Sequence, residues 1–321
     1  MGAIIQRPGL LRAGGVGAAL VLMTLLFYAT GLGTGWVGDR LATLSGMPGS
    51  DPEATRLGAA VLIAGLLVLN GMALVKLPRT QQVALIWVEL AAALLLFFYS
   101  FDLSFAFIGR KIGFLVTQGV TTTLLISAAA IAIATVLALV GAIAKLSGSG
   151  IAYGLATFYT SLFRGLPLLM QIYIIYLGLP QLGYVLGPVT SGIAALSLCY
   201  GAYMTEIFRA GIQSIAHGQS EAATALGLNP RQTLWLVVMP QAMRVIIPPT
   251  GNQFIAMLKD SSLVSVVGVW ELMYLARTQG QTEFRHIEML ITASLIYWVL
   301  SMGLEFGQSR LERRFARSSR R

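Results

Sequence analysis

At 321 residues, of which 56% are hydrophobic and 11% charged, the chain carries less than half the ~25% charge of an ordinary soluble domain, which excludes a water-soluble globule. Its net charge of +9 lies in short loops and in the tail arginines Arg310, Arg313, Arg314, Arg317, Arg320 and Arg321, a distribution that positive-inside membrane orientation explains without nucleic acid as a partner. The lone cysteine, Cys199, sits in an apolar run, so an intrachain disulfide is excluded and metal-ligand spacing is absent.

Apolar runs of about 20 residues recur, each long enough to cross a ~30 Å hydrocarbon core as a helix. They predict an all-α polytopic membrane protein of about eight spans, at 16–34, 57–75, 83–101, 114–144, 163–180, 188–208, 245–270 and 287–307. The first follows Arg7 and Arg12 and is read as an uncleaved anchor, because its apolar run exceeds that of a signal peptide and no small-residue cleavage site follows. Residues 33–51, rich in Gly, Pro and Ser, read as a flexible outer loop. The fourth span is longer than one crossing needs, so its first turns from Ile112 lie at the interface or the helix tilts. Tyr153 to Phe163, just before the fifth, is a candidate surface helix.

Orientation follows from the basic residues, which cytoplasmic loops retain. An inside N-terminus puts Arg7, Arg12, Lys76, Arg79, Lys145, Arg209, Arg231, Arg244 and the six tail arginines on one side, against Arg40, Arg56, Arg110, Lys111, Arg277 and Arg285 on the other. Both termini are therefore expected in the cytoplasm, although the Arg110-Lys111 pair counts against it.

The polar stretch from about 211 to 240, between spans six and seven, then faces the cytoplasm. Ser220 or Gln219 is expected to open a helix with Glu221 in its first turn, near the positive helix end. Ala222, Ala223, Ala225 and Leu226 give a small-residue surface, Gly227 supplies the stop, and Asn229-Pro230 starts a second helix in which Leu234, Val237 and Val238 share a face. Pro240 then begins the return to the membrane. Two short helices joined by a glycine form a knob suited to a cleft on another protein; the plainer alternative is a cytoplasmic hairpin and nothing more.

Charges inside span seven are the other informative feature. Lys259 and Asp260 each cost ~2.5–3.5 kcal/mol near a helix centre on insertion scales. Two readings stand: they line a translocation path or gate used by a zwitterionic substrate, or they form an intramembrane ion pair that fixes helix packing. Gln171, one turn past Pro167, and Gln253 are further candidates for the path. Arg164 is read as topological, snorkelling at the cytoplasmic entrance of span five, and Glu206 and Arg209 are expected to pair one turn apart. His217 reads as solvated or partner-contacting. No lysine is preceded by glycine and followed by Ser or Thr, so the chain has no phosphate-binding loop and performs no catalysis of its own.

The spacing Glu221-Ala222-Ala223-x-x-x-Gly227, with Pro240 after it, stands among other distinctive segments. Before it come Arg164-Gly165-Leu166-Pro167-Leu168-Leu169-Met170-Gln171 and Glu206-Ile207-Phe208-Arg209-Ala210-Gly211-Ile212. After it come Pro240-Gln241-Ala242-Met243-Arg244, Pro248-Pro249, Asn252-Gln253-Phe254 and Lys259-Asp260-Ser261-Ser262-Leu263. Together, over about residues 110–310, these resemble the permease subunits of polar amino acid ABC importers, the histidine, glutamine and glutamate type.

The resemblance implies a type I ABC importer transmembrane fold: a five-helix core made of spans four to eight, with about three extra N-terminal helices. Position 261 is commonly threonine in that family, and Ser261 keeps the hydroxyl. The implied organisation is an accessory region at 1–110, resembling the longer permeases of general L-amino acid uptake systems, a permease core at 111–310 and a basic cytoplasmic tail at 311–321. Glu221, Ala222, Ala223 and Gly227 would dock a separate ATPase. The implied partners are two ATP-binding subunits, which hold ATP and Mg so that this chain needs no cofactor, and a second similar permease in a homo- or heterodimer. A periplasmic amino-acid-binding protein and the bilayer of a bacterial inner membrane complete them. A secondary, ion-coupled amino acid transporter is the alternative, but it gives no reason for the Glu-Ala-Ala island. A membrane enzyme lacks an acid–base constellation, since His217 and His286 are too sparse.

Overall fold

A computed structural model describes residues 13–30, 52–99 and 103–317, and every regular element among them is helical. Helices satisfy their own backbone polar groups, which a hydrocarbon solvent cannot do. The chain divides into two compact units, Met1–Leu103 and Ser104–Arg321.

The first unit contains α1 (Ala13–Thr30), α2 (Pro52–Val75) and α3 (Arg79–Tyr99). α1 packs along α2, where Ala59, Ala60 and Ala64 are buried, small side chains that let helices approach closely in lipid. The Arg56 guanidinium lies 4.9 Å from the centre of the Tyr28 ring, and Asn70 Nδ2 donates to Glu89 Oε2 at 2.9 Å, tying α2 to α3. Leu66, Leu69, Trp87, Leu90 and Leu95 are exposed, an apolar surface too extensive for water and ordinary for lipid. The expected outer loop at 33–51, the ends of spans one and three, and Arg7 and Arg12 lie outside the described residues.

The second unit opens with α4 (Phe105–Phe114), capped by Ser104, and runs through a π-helical turn, Leu115–Val120, into α5 (Thr121–Leu146). The result is an unbroken 42-residue helix, so the fourth span begins well before residue 114. α5 packs against α8 (Pro188–Gln213) through Ala130, Ala134, Ala138 and Ala142, whose four-residue spacing puts them on one buried face. A Cβ at Gly141 would lie 2.6 Å from Thr205 Oγ1; only glycine permits this approach.

Between them, α6 (Gly150–Gly165) and α7 (Leu168–Tyr173) are separated by Leu166-Pro167 and bent by 106°. The surface helix expected at 153–163 therefore extends to Gly165 and takes the first residues assigned to span five, because Pro167 cannot continue it. After α8 come α9 (His217–Ala225), α10 (Pro230–Thr233), a π-helical turn at Leu234–Val238 and α11 (Met239–Asp260). Span seven thus ends at Asp260 as α-helix and finishes as a 3-10 helix, Ser261–Val267, closed by left-handed Gly268. α12 (Leu272–Thr282) and α13 (His286–Arg317) complete the unit. α13 runs back beside α11, where Gln308 Nε2 donates to Pro248 O and Asn252 Oδ1, both at 3.0 Å.

By length and composition, three described helices are apolar enough to cross a membrane, at 56–75, 105–146 and 286–313, and the bent α6/α7 pair makes a fourth if counted as one broken span. α8 and α11 fall short of that criterion. α8 carries Ser191, Ser197, Tyr200 and Thr205 on buried positions, and α11 carries Pro248, Pro249, Asn252 and Gln253. Helices that face a protein interior rather than lipid are diluted with small and hydroxyl residues, so hydropathy alone under-reads them.

Candidate functional site

A cavity of about 490 Å³ opens at the α6/α7 break, lined by Arg164, Pro167, Tyr200, Tyr203, Gln253 and Asp260, with Cys199 beside them. Three separate segments meet there because α8 and α11 pack against each other and the break turns α7 onto α8. The Tyr200 hydroxyl donates to Asp260 Oδ2 at 2.7 Å. The Arg164 guanidinium lies 5.3 Å from the centre of the Tyr203 ring, a cation–π arrangement that holds the charge at the cavity without neutralising it. A cationic and an anionic side chain facing one open cavity, with tyrosines beside them, can hold a zwitterion by charge and hydrogen bonds.

Of the residues expected on the path, Gln253 and Asp260 are brought together in this cavity. Gln171 is not in its lining: its side chain is 3% exposed and Nε2 donates to Phe163 O and Leu166 O, both at 2.9 Å. It bridges the helix break, supplying a donor that Pro167 lacks. Lys259 is exposed and makes no ion pair among the described residues, so it does not pair with Asp260. Arg164, read from sequence as topological, lines the cavity; Tyr200 and Tyr203 escaped notice because tyrosines in an apolar helix carry no signal of what they face. Ser261 is buried, its hydroxyl donating to Leu258 O at 2.7 Å.

At the other end of α8 and α11 stands the hairpin. α9 begins at His217 rather than at Ser220, since Ala216 precedes it without a side-chain cap; Glu221 is thus in the second turn. Gly227, at φ +82°, ends the helix, with Leu228 N–H donating to Ala223 O at 3.1 Å and Gly227 N–H to Thr224 O at 2.9 Å. This pair of bonds requires a left-handed residue. Asn229 and Gln232 then cap each other's backbone N–H groups, at 2.9 and 3.0 Å, with Pro230 in the first turn. The second helix runs on through the π-helical turn into α11, with Pro240 in the first turn of α11.

Glu221 and Ala222 are exposed, whereas Ala223 is 3% exposed and packs inside. Gln241 Nε2 reaches Gln219 Oε1 at 3.1 Å, tying the two helices. Leu226, 83% exposed, projects from the tip; its position just before the turn glycine was the available clue. Behind the hairpin, Glu206 binds Lys145 of α5 and, at 2.9 Å, Arg209 one turn on. The expected local pair is therefore a three-residue network anchoring the hairpin's root.

The profile of the binding-protein-dependent transport system inner membrane components matches residues 137–317. The arginine transport system permease protein ArtQ of Bacillus subtilis (strain 168) is 38% identical over 200 residues, 62% of this chain and 91% of that protein. The glutamine transport system permease protein GlnP of Escherichia coli (strain K12) is 35% identical over 206 residues, 62% of this chain and 92% of that protein. A crystal structure described as an amino acid ABC transporter with histidines is similar at a TM-score of 0.63 and 34% identity, covering 66% of this chain and 99% of that one. The ion-coupled alternative finds no counterpart in these likenesses, and the chain belongs to the family of binding-protein-dependent transport system inner membrane components, as a multi-pass permease subunit of the ABC importer type.

Proposed function

We propose that this permease moves polar L-amino acids inward across a bacterial inner membrane, through the cavity between Arg164 and Asp260. The observation that carries the reading is that pair of opposite charges facing one cavity: a zwitterion's carboxylate and ammonium find complementary partners there, at intramembrane sites where uncompensated charge is costly. The amino acid named for each of the similar permeases differs, so this reading fixes the substrate class and not its member. Gln253 and Tyr203 complete the lining, Gln171 holds the helix break, and Lys259, exposed beside Asp260, contributes positive charge to the path.

Energy enters through the hairpin. The exposed Glu221, Ala222 and Leu226, set by the Gly227 turn, dock one of two ATP-binding subunits, which carry ATP and Mg, so the permease itself has no cofactor and hydrolyses nothing. A second similar permease pairs with it, and a periplasmic binding protein delivers the amino acid. Eight spans with both termini and the hairpin in the cytoplasm fit the basic-residue asymmetry, with residues 1–110 an accessory region and 111–310 the core. Reconstituted uptake of labelled amino acids tests the function: accumulation should need ATP, the ATPase and the binding protein together. For the topology, an impermeant thiol reagent applied to sealed cells should label a cysteine introduced at Ser45 or Gln281 and spare one at His217; the reverse pattern overturns the orientation.

A further inference from the structure

The turn between α12 and α13 holds Phe284 at φ +54°, the one non-glycine residue with positive φ among the described residues. Arg285 N–H donates to Gly280 O at 2.8 Å and Phe284 N–H to Gln281 O at 3.4 Å, so α12 ends in the same two-bond motif that Gly227 closes in the hairpin. A bulky side chain in this left-handed position is strained by its Cβ. Burial does not offset that strain, because Phe284 is 90% exposed. Nothing among the described residues explains an aromatic here, and strain that persists without compensation there points to a functional constraint.

The surroundings narrow its use. α13 runs from His286 past Gln308, which bonds α11 about midway along it, at Pro248 and Asn252, and continues toward the hairpin end, so about 33 Å of helix separates this turn from the middle of α11 alone. Phe284 therefore stands on the face opposite the ATPase-docking hairpin. Around it Arg110 binds Glu283 at 3.0 Å, Lys111 lies 3.9 Å from the same carboxylate, and Arg285 binds Glu288 at 2.7 Å. Three basic groups against two acidic ones leave the rim positive, and the Arg110 and Arg285 side chains remain 61% and 42% exposed. An exposed aromatic with Arg285 beside it and Arg110 on the neighbouring Glu283 has the composition of interface hot spots.

We propose that Phe284 is the anchor by which the soluble binding protein docks on the outer face, its ring entering an apolar pocket rimmed by Asp and Glu side chains. The proposal rests on the permease reading above. A membrane-dipping role of the ring is the competing use, and it differs from docking in depending on the charge of the lipid.

Phe284→Gly separates the roles, since it removes the ring and also the strain. The permease complex with its ATPase would be placed in nanodiscs and ATP hydrolysis titrated with the purified binding protein that supports uptake. The half-stimulating concentration should rise roughly tenfold or more, with the melting temperature of the complex unchanged or raised, and Phe284→Tyr should return it close to wild type. Arg110→Ala and added salt should each raise it several-fold. An unchanged half-stimulating concentration for Phe284→Gly overturns the anchor. So does a loss seen only in nanodiscs containing phosphatidylglycerol and absent in neutral lipid, which would assign the ring to the membrane. A wild-type complex that the binding protein does not stimulate overturns the permease reading itself, and the anchor with it.

Discussion

The cavity and the hairpin are opposites in their use of solvent. In the cavity a carboxylate, Asp260, ends α11 just past the buried Met257 and Leu258, with one neutral donor, Tyr200, at 2.7 Å; in the hairpin an apolar residue, Leu226, projects 83% exposed from a polar surface. Each is placed where its surroundings oppose it, and each such placement costs free energy that a solvent-matched residue would not. The contrast teaches that the informative residue is the one set against its local solvent. Phe284, 90% exposed, is a third case of the same kind.

If that contrast is right, the cavity charges should matter most. Asp260→Asn keeps the shape and loses the charge, and a hydrogen bond to a charged group is worth ~1.5–3 kcal/mol. The maximal uptake rate per assembled complex should therefore fall at least about tenfold, while the half-saturating concentration, set by capture on the binding protein, stays near wild type. Lys259→Met should act more weakly, because its exposed ammonium has no fixed partner. Equal rates for both variants and wild type would return these positions to packing roles.

The hairpin offers the next test. Gly227→Val forces a β-branched residue into a left-handed turn, at a cost of ~1–2 kcal/mol or more, so the second helix should be misplaced and ATPase association weakened about tenfold in pull-down, with membrane insertion preserved. Leu226→Ser leaves the turn intact and removes only the apolar tip. Its effect on association should be smaller, roughly three- to tenfold, corresponding to ~1 kcal/mol of lost burial. A Leu226→Ser protein that binds the ATPase as tightly as wild type would move the docking surface elsewhere on the hairpin.

Gln171→Leu probes the frame rather than either site. It strips the donor from two carbonyls at the helix break, at ~1–3 kcal/mol for groups left unpaired, and should lower the melting temperature of the complex by a few degrees. The smallest effect is expected from deleting the first unit: a chain beginning at Phe105 should still recruit the ATPase, since the hairpin and its Lys145–Glu206–Arg209 root lie wholly within the second unit.

How much of this was readable in the sequence follows the range of the forces involved. The Gly227 stop and the Asn229-Pro230 restart were readable because turn and cap chemistry is local and residue-specific. The start of α9 was not, because Ala216 caps nothing with its side chain. Asp260 stood out by its insertion cost, yet the tyrosine that holds it is sixty residues away in sequence and is fixed only by packing. The positions of Arg164 and Gln171 were unreadable for the same reason: Pro167 announced a break, but which neighbour lines the cavity and which bridges the break depends on the 106° bend. Apolar run length drew spans across α8 and α11, but which of their residues are buried against neighbouring helices is fixed only by packing.

The central claim is that ATP hydrolysis beneath the hairpin drives amino acids through the cavity. Its most direct test is accumulation of labelled amino acid in proteoliposomes holding the permease and its ATPase, with ATP inside and the binding protein outside. Wild type should accumulate substrate only with ATP, and Gly227→Val should lose that accumulation while remaining inserted; accumulation driven by an ion gradient in the absence of ATP would contradict the account.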